Sequence, residues 1–191
     1  DMTAPTILVA GLGRCGTSLV MQMLDAAGVP TIGAYPAFEE QDEVDLRGDP
    51  AAWLKFTAAK AVKILNPHLA PPPAQGSYRT IFLTRDFGEQ AKSTLKMAGA
   101  PDSRHDRRAL EVRLRTETRQ AAKALTQLGT GMYFHIPFED LVNRPLECAR
   151  DIASFVAARR EVPLDPHVMA ACVRPRGVGC LPYFLELDLM A

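Results

Sequence analysis

The chain has 191 residues, 47% of them apolar, and its 22 lysines and arginines balance its 22 aspartates and glutamates. This length and composition favour one domain over 1–191 with a single sizeable core. Because the chain has no net basic charge, neither nucleic acid nor an anionic membrane surface is expected as a partner, and any anion must be recognised locally.

The cysteines predict neither a metal site nor a disulfide framework. They show no Cys-x-x-Cys pair and no paired Cys/His spacing, and they stand at Cys15, Cys148, Cys172 and Cys180. We therefore expect a reduced, cytoplasmic setting and no metal requirement. No secretory signal and no apolar run of bilayer-spanning length is visible, so membrane insertion is not expected. The first residue, Asp1 before Met2, is typical of a trimmed or engineered start.

The first predicted element is a short strand that runs into a glycine-rich turn. Residues 6–10 are apolar and rich in β-branched side chains, which is typical of a buried parallel strand. After the turn, apolar residues repeat at helical spacing from Leu19 until Gly28 and Pro30 end the helix. The chain therefore begins with a strand, a loop and a helix.

Beyond this unit, strands and helices alternate after an irregular, acidic stretch over 31–49. Further strands are predicted over 61–65, 79–84 and 132–136. Further helices are predicted over 51–60, 88–98, 104–128 and 145–158. This alternation predicts an α/β fold, with a mostly parallel sheet of about four to five strands flanked by helices on both faces. In such sheets ligands bind at the carboxyl ends of the strands.

The turn after the first strand has the spacing of a phosphate-binding loop (P-loop). Residues 11–18 read Gly-Leu-Gly-Arg-Cys-Gly-Thr-Ser, which is GxxxxG plus two residues between a strand and a helix. The glycines let the backbone curl so that N–H groups point at an anion, and the next helix offers its positive end. Loops that use ATP or GTP carry lysine where this chain has Thr17, so Arg14 is the cation left within the loop. A glycine-rich turn without a ligand is the alternative interpretation.

These residues resemble the phosphate loop of the sulfotransferase family, which reads Arg or Lys, Ser, Gly, Thr, then Thr or Ser. Cys15 stands where the family usually has serine. In that family the loop binds the 5′-phosphosulfate of 3′-phosphoadenosine-5′-phosphosulfate (PAPS). The resemblance implies a P-loop-type fold and the same binding role for Gly13, Arg14, Cys15, Gly16, Thr17 and Ser18.

A second segment is similar to the family's 3′-phosphate site. The predicted strand that ends at residue 84 is followed by Arg85 and Asp86, and Ser93 lies eight residues after Arg85. The resemblance implies that Arg85 and Ser93 bind the 3′-phosphate, a task that suits the planar fork of arginine. Phe87 replaces the family's usual proline. Alternatively, Arg85 pairs with Asp86 and Ser93 is an ordinary helix residue.

Two further segments resemble the family less closely. Residues 133–141 are similar to its strand followed by Tyr-Glu-Asp-Leu, and we interpret them as structural. Residues 174–179 resemble a late basic element that also meets the 3′-phosphate, which implies a nucleotide contact for Arg176, although an exposed basic turn is an equal alternative. The arginines of the predicted helix 104–128 either line the nucleotide pocket or a lid, or form a solvated face, which the interspersed glutamates favour.

The family's reaction is transfer of a sulfuryl group from PAPS to a hydroxyl or amine, which leaves 3′-phosphoadenosine-5′-phosphate (PAP). Like phosphoryl transfer it has a loose, in-line transition state, so positioning and charge stabilisation dominate. Arg14 is expected to stabilise the developing charge. Lys63 aligns with a strand-end lysine of cytosolic members and is expected to help. Their catalytic histidine falls at Leu65, which cannot accept a proton.

The proton acceptor must therefore come from elsewhere in the chain. Other branches of the family use a glutamate soon after the first helix, and Glu39 is the first choice by this resemblance. Partial burial beside Tyr35 and Phe38 is expected to favour that role. Glu40 and His68 are the alternatives, and a solvated acidic loop is the other interpretation of this region.

Two other functions stay open at this point. A nucleotide or small-molecule kinase shares the strand, loop and helix, but the loop lacks lysine and no apolar strand ends in a clear magnesium-binding aspartate. A non-catalytic sulfonucleotide-binding protein would keep the pocket without the base. The expected partner is a small-molecule or carbohydrate acceptor, whose identity depends on pocket shape. The sequence does not determine the oligomeric state.

Overall fold

A computed structural model describes residues 5–101, 103–128, 130–157 and 163–174. Within them, four strands form one parallel sheet in the order β2-β1-β3-β4. In chain order these strands are β1 Thr6–Gly11, β2 Ala61–Leu65, β3 Ser77–Thr84 and β4 Thr130–Pro137. The predicted α/β class with a parallel sheet is thus confirmed, and each predicted strand is present.

Helices cover both faces of this sheet. They are α1 Thr17–Ala26, α2 Gln41–Leu46, α3 Pro50–Thr57, α4 Phe87–Met97, α5 Arg104–Thr126, α6 Phe138–Asn143, α7 Pro145–Ala157 and α8 Pro166–Ala171. Side-chain caps determine where several of them begin, because a cap oxygen satisfies a free backbone N–H of the first turn. Asp86 caps α4 and Ser103 caps α5 in this way.

The two faces of β1 belong to two separate apolar clusters. Ile7 and Val9 pack in one cluster with side chains of α1, α7 and α8. Leu8 and Ala10 pack in the other with side chains of α3, α4 and α5. Because both faces are covered, every residue of β1 is buried. A continuous apolar run is the pattern expected for a strand in this position.

The register of the sheet brings the carboxyl ends of three strands to one place. Gly11 at the end of β1 pairs with Leu65 of β2 on one side and with Leu83 of β3 on the other. The phosphate loop, Arg85 and α6 all follow directly from strands that end at this edge. The fold therefore places the predicted motifs at one edge of the sheet.

Three short helices were not predicted. The acidic stretch expected to be irregular contains α2, while α6 directly follows Pro137 at the end of β4 and α8 begins at Pro166. The predicted helix 51–60 instead ends at Thr57, and Ala59 has a φ of 60°, a left-handed conformation that no helix continues through. Short helices escape prediction because they contain too few residues to show a helical period.

A buried ion pair stabilises α2 against its surroundings. Arg47 Nε and Nη2 each donate to one carboxylate oxygen of Glu43 at 2.8 Å, and Trp53 Nε1 donates to Glu43 Oε1 at 2.7 Å. Arg47 Nη1 donates to the carbonyl of Ala70 at 2.6 Å. The Glu43 side chain is only 4% exposed, so these bonds compensate a charge that has lost its water. They also tie α2 to α3 and to the turn after β2.

Replacing Arg47 by methionine is expected to lower the free energy of unfolding by about 2–3 kcal/mol, because the Glu43 carboxylate then stays buried without its ionic partner. Urea denaturation measures the change. The control is Arg113→Met, which removes the exposed Arg113–Glu117 pair on α5. That variant is expected to lose less than about 0.5 kcal/mol. Similar losses in both variants would contradict a stabilising role for the Glu43 pair.

Candidate functional site

The loop between β1 and α1 has a backbone shape that few residues adopt. Arg14 has a φ of 68° and Gly16 a φ of 98°, both in the left-handed region. A Cβ on Gly16 would also lie 2.4 Å from the ring of Phe138, so this position requires glycine for two reasons. Arg14 adopts its conformation at a cost of roughly 1 kcal/mol, which its contacts must offset.

Arg14 connects the two motifs that the sequence singled out. Arg85 Nη1 donates to the carbonyl of Arg14 at 3.1 Å, and Arg14 Nε donates to Ser93 Oγ at 3.0 Å. Gln90 Nε2 donates to the carbonyl of Gly13 at 2.7 Å. The strand-end arginine and the helix serine thus both lie against the loop.

Two residues that the sequence did not assign to the site also form it. Phe138, at the start of α6, covers Gly16, and the centroid of its ring lies 4.8 Å from the guanidinium carbon of Arg85. Gln90 is only 2% exposed and holds the loop carbonyl of Gly13. The segment 133–141, interpreted as structural, therefore also supplies a wall of the site.

Lys63 of β2 connects the loop to the acidic segment. Its Nζ donates to Glu39 Oε1 at 2.8 Å, to the carbonyl of Ala37 at 2.7 Å and to Ser18 Oγ at 3.1 Å. These three bonds use all three ammonium hydrogens. The side chain of Lys63 is 4% exposed, so this network holds a nearly buried charge beside the start of α1.

The position of Glu39 differs from the partial burial expected for it. Its side chain is 65% exposed, whereas the neighbouring Phe38 is only 3% exposed. Phe38 has a φ of 55°, which turns its ring into the core and leaves Glu39 pointing outward. The expectation of burial was therefore wrong, and the ion pair with Lys63 is what positions this carboxylate.

The loop and these side chains enclose a cleft of about 300 Å³. Among the described residues, its charged lining consists of three cations and one carboxylate, namely Arg14, Lys63, Arg85 and Glu39. The excess of positive charge and the N-terminus of α1 favour an anion here. A second cavity of about 530 Å³ adjoins it and shares Glu39, Lys63 and Leu65 as lining.

The remaining predicted residues lie at varying distances from the cleft. Gly13, Gly16, Thr17 and Ser18 contribute to its lining, and Glu40 lines the second cavity only. His68 lies in the turn after β2 and is not among the residues that line either cavity. No arginine of α5 is among those residues either. Arg176 and Cys180 lie outside the described residues.

Cys15 is buried within the loop, where it is 1% exposed. A Cβ on Gly11 would lie 2.4 Å from its Sγ, so the thiol fills the space that Gly11 leaves. Burial raises the pKa of the Cys15 thiol to about 12, and backbone N–H groups of Thr17 and Cys15 lower it only in part. The thiol is therefore protonated at neutral pH and serves in packing.

We expect Cys15 to resist alkylation by iodoacetamide in the folded protein, since the thiolate is the reactive species. At about pH 8 it should react at least about tenfold more slowly than Cys172, which is partly exposed on the described surface. Peptide mapping by mass spectrometry measures both rates, with denatured protein as the control in which both react. Equal labelling of the two thiols in folded protein would contradict the burial of Cys15.

The described ranges contain no group of three or more His, Cys, Asp or Glu side chains that could hold a metal ion. No helix in the same part of the chain is both long enough and apolar enough to cross a bilayer.

Comparison with known proteins shows a relationship only at the level of the fold. No protein-family model matches the sequence, and no curated protein matches it either. The sulfotransferase domain from the curacin biosynthetic pathway is 14% identical, with a TM-score of 0.54 over 92% of this chain and 84% of that one.

Two more solved structures agree with this result. The sulfotransferase domain of the Synechococcus PCC 7002 olefin synthase is 16% identical, with a TM-score of 0.52 over 97% of this chain and 84% of that one. Sulfotransferase STF9 from Mycobacterium avium is 14% identical, with a TM-score of 0.51 over 91% of this chain and 67% of that one. The chain therefore has a sulfotransferase-type fold, which by itself does not establish an activity.

Proposed function

We propose that this chain is a sulfotransferase that binds PAPS at its phosphate loop and transfers the sulfuryl group to a hydroxyl or amine acceptor. The observation that carries the proposal is that both residues of the second motif contact the phosphate loop at one residue. Arg85 and Ser93 both contact Arg14, at 3.1 Å and 3.0 Å. The fold, which is shared with solved sulfotransferases, supports the same conclusion.

The residues of the cleft fit such a nucleotide. A Cβ on Gly13 would meet nothing within 4 Å, so the loop backbone is open to an approaching phosphate at this point. Arg14, Lys63 and Arg85 supply positive charge from the loop and from two strand ends. In ATP-using loops, a loop lysine and a magnesium ion supply that charge. The replacement of that lysine by Thr17 is thus compensated by side chains from outside the loop.

The nucleotide would be held at both of its charged ends. The loop residues would bind the 5′-phosphosulfate, with the buried Cys15 contributing its backbone N–H alone. Arg85 and Ser93 would bind the 3′-phosphate, and Arg176 would join them from outside the described residues. Ser93 accepts its bond from Arg14, so its own hydroxyl proton can be donated to a phosphate oxygen.

When bound, PAPS supplies the sulfuryl group, whose bond to the bridging oxygen breaks as the acceptor oxygen or nitrogen bonds to sulfur, leaving PAP. Arg14 and Lys63 stabilise negative charge at the leaving end. Glu39 takes the proton from the acceptor group. Lys63 Nζ donates a hydrogen bond to Glu39 Oε1. Oε2 of Glu39 accepts no side-chain hydrogen bond within the described residues, so this oxygen can accept the proton.

Among the three candidate bases, geometry favours Glu39. Its carboxylate lines both cavities, so it lies where nucleotide and acceptor would meet. Glu40 lines the wider cavity alone, and His68 lines neither. The base is therefore the carboxylate that Lys63 already holds beside the loop.

A non-catalytic nucleotide-binding protein is the second candidate, because Leu65 occupies the wall shared by both cavities where related enzymes have a histidine. Incubation with sulfur-labelled PAPS and a panel of acceptors separates the two candidates. The proposal predicts one PAP released for each sulfated product. Nucleotide binding with no transfer to any acceptor would favour the non-catalytic protein, and failure to bind PAP would overturn both.

A further inference from the structure

The wider cavity beside the nucleotide cleft has a lining that distinguishes acceptors by charge. It measures about 530 Å³ and shares Glu39, Lys63 and Leu65 with the cleft. A group bound in it can therefore reach the carboxylate assigned as the base. If the proposed function holds, this cavity receives the acceptor.

The cations in this lining already donate hydrogen bonds to neighbouring groups. Lys63 Nζ donates its three hydrogen bonds to Glu39, to the carbonyl of Ala37 and to Ser18. Each nitrogen of the Arg47 guanidinium donates a bond, two of them to Glu43 and one to the carbonyl of Ala70. An anionic acceptor would have to compete with these bonds, and breaking the buried Arg47–Glu43 pair in particular is costly.

One carboxylate in the lining stands outside these pairs. Glu40 makes no side-chain hydrogen bond or ion pair with any residue in the described part of the chain, whereas Glu39 and Glu43 are both paired. Counted over the described part of the chain, the lining thus carries one negative charge in excess. That charge repels an anionic acceptor and attracts a cationic one.

The rest of the lining includes exposed apolar surface. Val44 is 47% exposed and Leu69 is 73% exposed, and both line the cavity together with Leu65. Apolar side chains on a cavity wall gain most from an apolar ligand, because contact removes both surfaces from water. A purely polar acceptor such as a sugar would leave this surface unmatched.

We infer that the acceptor is a hydroxyl compound with an apolar body, such as a phenol, that carries no negative charge. The inference rests on the proposed function only in assigning the neighbouring cleft to the nucleotide. Acceptors with a carboxylate, phosphate or sulfate group near the hydroxyl are excluded by Glu40 and by the pairing of both cations. A positively charged tail is accepted, since it can pair with Glu40.

Three phenols with the same ring and hydroxyl test the inference: 4-ethylphenol, tyramine and 4-hydroxyphenylacetate. Their tails are neutral, positive and negative. Calorimetric titration into PAP-loaded protein is expected to show the first two binding at least about tenfold more tightly than the third. Equal or tighter binding of 4-hydroxyphenylacetate overturns the inference, and so does a failure of all three to bind.

A matched pair of variants assigns the effect to Glu40. In Glu40→Gln, the affinities for 4-ethylphenol and 4-hydroxyphenylacetate are expected to lie within about threefold of each other, since the repelling charge is gone. Glu147→Gln, at an exposed glutamate on α7 that does not line the cavity, is expected to retain the full preference. An unchanged preference in Glu40→Gln overturns the role of this carboxylate.

The same titrations on nucleotide-free protein distinguish a failure of the acceptor inference from a failure of the proposed function. If PAP binds but the anionic phenol is preferred, only the inference about the acceptor fails. If PAP does not bind, the proposed function fails, while the phenol series still reports whether the cavity selects against negative charge. If nucleotide-free protein binds the neutral and cationic phenols more tightly than the anionic one, the inferred charge selection is supported. If it binds all three equally, the inferred charge selection is overturned.

Discussion

Replacing Arg85 by alanine is expected to weaken binding of PAP by roughly 100- to 1,000-fold, because two charge-assisted hydrogen bonds to the 3′-phosphate are lost. Binding of adenosine 5′-monophosphate, which lacks that phosphate, is expected to weaken by less than about tenfold. The residual effect arises because Arg85 also donates to the carbonyl of Arg14 and packs on Phe138. Calorimetry with both nucleotides measures the difference.

Two control variants separate phosphate recognition from support of the loop. Phe138→Leu removes the ring beneath Arg85 but keeps the guanidinium fork, so the preference for PAP over the monophosphate should persist. Arg85→Lys keeps the charge without the fork and should give an intermediate loss of PAP binding. Equal weakening of both nucleotides by Arg85→Ala would remove this arginine from the 3′-phosphate site.

Replacing Glu39 by glutamine is expected to lower kcat by about 10²- to 10⁴-fold, the usual contribution of a general base. The amide oxygen can still accept the bond from Lys63, but it cannot take a proton from the acceptor. The affinity for PAP should stay the same or rise, because the substitution removes a negative charge from the lining of the anion cleft. Steady-state kinetics with a neutral acceptor, combined with PAP titration, measure both quantities.

Glu40→Gln serves as the matched control for this experiment, since Glu40 is the adjacent carboxylate and lines the wider cavity only. With a neutral acceptor its kcat should remain within about threefold of the original. If Glu39→Gln retained kcat, or if Glu40→Gln showed the larger loss, the base would have to be reassigned. Loss of PAP affinity in Glu39→Gln would instead indicate a disturbed loop.

The elements of the fold were predictable because their signals are local. An apolar run, a glycine turn and a helical repeat are each contained in a few residues, and β1, the loop and α1 follow them closely. The β2 bounds agree with the prediction at both ends, since the strand is a short apolar segment with breaks on either side. Longer elements such as α5 differ by only a few residues at their ends.

Parts of the site escaped prediction because they depend on contacts between distant residues. Gln90 reaches the carbonyl of Gly13 across 77 residues of sequence, and no local pattern marks a buried glutamine as a support for a loop. Phe138 belongs to a segment that the sequence analysis interpreted as structural, yet it covers Gly16. The proximity of Arg85 and Ser93 to the loop followed from a family resemblance rather than from their own spacing.

The exposure of Glu39 was misjudged for a different reason. Its aromatic neighbours suggested a partly buried carboxylate, but only Phe38 turns inward, while Tyr35 is 66% exposed. The left-handed conformation of Phe38 decides this, and sequence patterns do not reveal a positive φ at a non-glycine residue. The Glu43–Arg47 pair, in contrast, has the i,i+4 spacing that could have indicated α2.

The proposal that the cleft binds PAP is tested most directly by comparing thermal unfolding of the protein with PAP and with ATP plus magnesium at equal concentration. A ligand that binds only the folded chain raises its Tm, and saturation at about 100 times Kd adds about 2.7 kcal/mol, or roughly 5–10 °C for a chain of this size. A cleft built for PAP should give that shift with PAP and a much smaller one with ATP and magnesium. A larger shift with ATP and magnesium, or none with PAP, would contradict the proposal.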